Sequence, residues 1–144
     1  MSATYDTDFY AWANEQAALL RSGNLSAADI ENIAEEIESM GKSEKRELVN
    51  RLTVLLLHLL KWQFQPLHQG PSWRTTIVNQ RFEIADHLLD NPSLKSHLSE
   101  AMTRAYRRAT GEAALETGLP QKTFPASCPW LFGQIMDEGF WPEC

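Results

Sequence analysis

The sequence predicts an all-α protein: a single-domain bundle of about five long helices, with a short C-terminal helix and a packed tail rich in proline and aromatic residues. Three observations carry this. Apolar residues recur at helical spacing in five successive stretches. Glycines fall singly, mostly at the ends of those stretches, as helix punctuation. No run alternates apolar and polar residues as a strand would. The expected division is one domain over 1–144, with a helical bundle over 5–118 and a wrapping tail over 119–144.

The first helix is expected to start near Asp6 or Thr7, either of which can cap, and to end at Ser22-Gly23-Asn24. Phe9, Trp12, Gln16, Leu19 and Leu20 form its stripe. A second helix is expected from Ser26 to Gly41, burying Ile30, Ile33, Ile37 and Met40, with Glu31, Glu35 and Glu38 along one flank and Glu36 on the other. The third and central helix, opened by Ser43, carries the most apolar run of the chain, RELVNRLTVLLLHLLKWQFQP. It is apolar nearly all round, so it is expected to be enclosed on most sides. A thin polar strip remains: Glu47, Arg51, His58, Lys61 and Gln65. The apolar run is far short of the ~20 residues a bilayer span requires. Pro66 ends it. The short link Gly41-Lys42 predicts an antiparallel hairpin between the second and third helices, bringing Glu35 and Glu38 toward Lys45, Arg46 or Arg51.

A fourth helix is expected over about Trp73–Leu89, with Ile77, Phe82 (or Arg81), Ile84, Ala85 and Leu88 inward. Asn91-Pro92 restarts the chain, and a fifth helix follows from about Ser93 to Leu115, closed by Gly118-Leu119-Pro120. Its buried stripe is Leu94, Leu98, Ala101, Met102, Ala105 and Ala109. In the tail, Ser127 can cap a short helix over about Pro129–Asp137. Phe124, Trp130, Phe132, Phe140 and Trp141 are too apolar for a disordered segment and are expected to pack on the bundle.

Composition narrows the function classes. The chain has 144 residues, is 43% apolar and 22% charged, and carries a net charge of −6. That charge is uneven: residues 1–44 and 111–144 are acidic, and residues 45–110 are basic. Acidic and basic segments of one fold can neutralise each other, and an acidic chain is a poor match to nucleic acid. The two cysteines, Cys128 and Cys144, form no disulfide framework and lack zinc spacing. No basic-then-apolar leader precedes Tyr5, so a cytoplasmic location is expected.

Several strings in a fixed order carry a family resemblance: YDTDFYAWANEQAALLR, IENIAEEIESMGKSE, HLLKWQFQP, SWRTTIVNQR, NPSL, AYRRA, and a tail FPASCPW followed by IMDEGFWP. With these, the chain resembles a family of small bacterial proteins catalogued as domain of unknown function number 29, from Tyr5 to Pro142. The resemblance implies an all-helical fold. It assigns no activity, and so it transfers no catalytic residue.

The residues themselves offer one polar seam. His58 and Lys61 lie one turn apart, Glu35 would face them across the hairpin, and Arg74 and Arg81 would approach from the fourth helix. A carboxylate beside an imidazole can orient it as a general base. The competing reading is a satisfied histidine on a buried helix. The four histidines, His58, His68, His87 and His97, give no His-x-x-x-His and no Glu-x-x-His, and His87 with Asp90 reads as one exposed pair, so no metal site is expected. No nucleophile elbow and no phosphate loop occur, and Cys128 reads as a buried thiol. No cofactor is expected. Arg104, Arg107 and Arg108 form the one polyanion candidate, with a solvated helix face as its competitor. With no complete catalytic set, the favoured function is non-enzymatic contact with a protein partner or a second copy. The alternatives are an enzyme or small-ligand binder using a polar pocket around His58, Glu35, Lys61 and Arg81, and a weak nucleic-acid contact through the arginine face. No membrane association is expected.

Overall fold

The computed structural model describes residues 4–143, and among them every regular element is helical. Five α-helices run in order: α1 Phe9–Arg21, α2 Ile30–Phe64, α3 Pro71–Asp90, α4 Leu98–Thr117 and α5 Phe132–Met136. Short 3₁₀ turns link them. No helix among the described residues is long and apolar enough to cross a membrane. Cys144 lies outside the described residues. The chain forms two compact units, one up to Ser43 and one from Glu44 onward.

The main departure from expectation is α2. The expected second and third helices are one continuous helix of 35 residues, and the hairpin at Gly41-Lys42 does not exist. Glycine stops a helix by taking a left-handed backbone, as Gly23 and Gly118 do here, both at φ 75°. Gly41 has no positive φ. Good helix formers flank it on both sides, and they carry the helix through at a cost of roughly 1 kcal/mol for the glycine.

In the first unit, polar bonds join α1 to the start of α2. Asp8 caps α1, accepting from the Ala11 N–H at 3.1 Å. Trp12 Nε1 donates to Asp29 at 3.0 Å, and the Asp29 N–H donates to Gln16 at 2.7 Å. Asn32 adds a 2.8 Å bond to the same carboxylate. Bonds from Asn32 and then Trp12 hold the Asp29 carboxyl below its usual pKa. Tyr5 stacks edge-on against Phe9 and Trp12 and donates to Glu36. The expected buried stripe of this part of α2 is not buried: Ile30, Ile37 and Met40 are 52%, 63% and 66% exposed.

The second unit holds the large core. Leu48, Leu52, Leu55, Leu56, Leu59 and Leu60 of α2 are fully enclosed. Ile77, Ile84 and Leu88 of α3 and Ala101, Ala105, Ala109 and Ala113 of α4 meet them. The tail closes the remaining side with Phe124, Trp130 and Ile135. Its aromatics pair with the central helix: Trp141 lies 4.8 Å from Trp62 and Phe124 lies 5.2 Å from Phe64, centroid to centroid. The start of the expected fifth helix, Pro92–His97, is a 3₁₀ turn.

Gly41 is exposed, and an added Cβ would meet nothing within 4 Å. Gly41→Ala should therefore stabilise the protein by about 0.5–1 kcal/mol, measured by urea denaturation. A loss of stability would mean that the helix breaks at Gly41.

Candidate functional site

The expected seam comes together only in part. His58 is half-buried, and its Nδ1–H donates to the Val54 carbonyl at 2.8 Å, one turn back on the same helix. Burial is the main cause that lowers its pKa below the ordinary 6.5; the bond to Val54 opposes it, and Lys61 adds to it. Lys61 points instead to α4, where its Nζ donates to Glu116 at 3.2 Å. The same ammonium lies 4.9 Å from the centre of the Trp73 ring. Glu35 is on the same helix as His58, many turns earlier, in the other compact unit. The acid that meets the seam is Glu116.

Arg81 is an anchor for the tail. It is 6% exposed, and it takes the inward position for which Phe82 was the first choice; Phe82 is 65% exposed. Arg81 Nε donates to the Ile135 carbonyl at 2.7 Å and Nη2 to the Phe140 carbonyl at 2.6 Å. Its guanidinium carbon lies 5.2 Å from the Trp141 ring centre. Nη1 is buried and has no hydrogen-bond partner among the described residues. Burial lowers the Arg81 pKa, and Asp137 opposes the shift. Arg74 continues the stack, 4.8 Å from Trp141 and 5.2 Å from Trp62.

Cys128 lines a groove of about 610 Å³ with Met102, Tyr106, Arg107 and Trp130. Its thiol donates to the Trp130 carbonyl at 3.4 Å, and burial raises its pKa, so it is a poor nucleophile. Tyr106 donates to the Pro125 carbonyl at 2.6 Å, and burial pushes its pKa up to about 12. Arg104, Arg107 and Arg108 are exposed; Arg108 bonds Asn50 at 2.7 Å, and Arg104 lies 3.9 Å from Glu100 on its own helix.

The cluster that the sequence reading missed centres on His87, which is buried and not half of an exposed pair. Its Nε2–H donates to the Glu44 carbonyl at 2.8 Å, and its Nδ1 lies 3.2 Å from Glu47 Oε2. Glu47 Oε1 accepts from Arg51 at 3.0 Å, and Arg51 also pairs with Glu83 at 3.7 Å. Two helix faces build this: Glu44, Glu47 and Arg51 from α2, and Glu83, His87 and Asp90 from α3, each set at intervals of three or four residues. That spacing was the available signal. Ligand atoms of Glu44, Glu47 and His87 fall within 4.8 Å of one another, close enough to hold a metal ion.

The sequence pattern of the family described as "Domain of unknown function DUF29" matches residues 4–141. The chain belongs to that family. No curated protein and no solved structure matches it.

Two outcomes test the roles given to His58 and Arg81. Because folding lowers the His58 pKa, the unfolded chain binds the extra proton first as the pH falls. The His58 contribution to stability is whole above pH 6.5 and declines as the pH falls below it. Urea denaturation across about pH 5 to pH 8 should show a shallower decline for His58→Gln than for the unmodified chain; parallel curves would remove the burial argument. Arg81→Ala leaves two carbonyls without their donor and should cost about 2–5 kcal/mol. The Trp141 near-ultraviolet signal should weaken in the same variant. A loss below about 1 kcal/mol would show that Arg81 does not hold the tail.

Proposed function

We propose that this chain is a bacterial, cytoplasmic, non-enzymatic protein whose work is contact with a protein partner, and that the contact surface is the first half of α2. One observation carries this reading. Ile30, Ile37 and Met40 recur at helical spacing, as a buried stripe does, yet more than half of each side chain is exposed. Phe9, Tyr10, Leu20 and Leu25 of the same compact unit are also exposed. A helical stripe of this kind is the form that helix-in-groove and helix-pair contacts take.

Charge selects among partners. Glu31, Glu35 and Glu38 line one flank of the stripe and Glu36 the other. A second copy would set acid against acid, whereas a partner presenting an apolar strip rimmed by lysine or arginine would be complementary. The partner in this reading is therefore a different, basic protein. The few cysteines and the family resemblance support the bacterial and cytoplasmic parts of the proposal.

The double substitution Ile37→Glu with Met40→Glu tests the reading. Both side chains are exposed, so the melting temperature should stay within a few degrees. Capture from a lysate of the native host, read by mass spectrometry, should recover a basic protein with the unmodified chain and lose it with the variant. Recovery should also fall as salt rises. Equal recovery by the variant, or a cooperative loss of its fold, would remove the surface from consideration.

A further inference from the structure

We infer that His87, Glu47 and Glu44 form a binding site for a divalent transition-metal cation. The site belongs to the second compact unit and is independent of the contact surface proposed above.

The tautomer of His87 is the main argument. A carbonyl oxygen can only accept, so the 2.8 Å contact from Nε2 to the Glu44 carbonyl requires the ring proton on Nε2. In the neutral ring, Nδ1 then offers a lone pair. That lone pair lies 3.2 Å from Glu47 Oε2, another electron-rich atom. Something positive belongs between or beside the two atoms, and a histidine whose second nitrogen donates to a backbone carbonyl is set up as a metal ligand.

The distances agree. Two ligand atoms about 2.1 Å from one ion are about 3.4 Å apart in a tetrahedral site and about 3.0 Å apart in an octahedral one. The observed 3.2 Å lies between them. Glu44 supplies the second carboxylate: its Oε2 lies 3.6 Å from Nε2, and at 47% exposed the side chain is free to swing toward Nδ1; ligand atoms of all three residues already fall within 4.8 Å of one another. Arg51 occupies the other oxygen of Glu47 and so orients Oε2 toward the histidine. Glu83, Asp86 and Asp90 line the same open cavity of about 420 Å³, which gives it a negative field and a solvent-facing mouth. One nitrogen with carboxylate oxygens suits zinc and its first-row neighbours better than calcium or magnesium.

A second proton on His87 is the competing occupant of this gap, and metal titration separates the two. The full chain, stripped with chelator, is titrated with zinc chloride and followed by calorimetry and thermal unfolding. One equivalent of zinc should bind and raise the melting temperature. Glu47→Gln keeps the side-chain volume and should weaken binding by about tenfold or more, and Glu44→Gln by a similar factor. A Cys128→Ser variant should bind zinc as the unmodified chain does. Overturning results are absence of zinc binding to the unmodified chain, binding by either glutamine variant as tight as by the unmodified chain, or loss of binding in Cys128→Ser.

Discussion

A helix that is apolar on nearly all sides must be enclosed on nearly all sides, and the second compact unit depends on this requirement. From Leu48 to Leu60, six leucines of α2 are fully buried. At about 1.5–3 kcal/mol for each buried leucine, they outweigh any ion pair on the surface. Two helices leave part of such a rod uncovered. The third wall comes from the tail, whose aromatic residues meet Trp62 and Phe64. Three polar side chains beside this core are fastened: Thr53 to Val49, Arg81 to two carbonyls of the tail, and His58 to Val54.

The same helix behaves differently before Glu44. There its apolar residues occur only once per turn, and three of them face solvent. An isolated helix of this pattern has little reason to persist alone. Here its first turns are braced by Trp12, Gln16 and Asp29 of its own unit. A helical face can thus stand exposed without a covering layer from its own unit.

What could be read from the sequence followed from local physics. Periodicity marked the helices, Gly23 and Gly118 marked two stops, and Pro66 marked a third, because each acts on its own stretch of backbone. What could not be read depended on partners far away in the chain. Gly41 looked like a stop because a lone glycine is a stop only when its backbone turns left-handed, and neighbouring residues decide that. Hydrophobicity alone put Phe82 ahead of Arg81. The acceptors that make a buried guanidinium tolerable lie at Ile135 and Phe140, 54 and 59 residues later. His87 looked exposed because its partners, Glu44 and Glu47, come from another helix. His58 and Lys61 lie one turn apart on α2, and the acid beside them is Glu116 of α4, which no local spacing could point to.

The Arg81 anchor has a consequence for the timing of synthesis. A ribosome delivers α2 and α3 well before the tail. Until residue 140 has left the exit tunnel, the Arg81 guanidinium lacks the Phe140 carbonyl, and α2 lacks one of its walls. A nascent chain at that stage holds a charged group beside uncovered leucines, the condition in which partly made proteins aggregate or recruit chaperones. Emergence of the tail therefore converts a vulnerable intermediate into a closed core, and folding of this unit waits on residues up to Phe140.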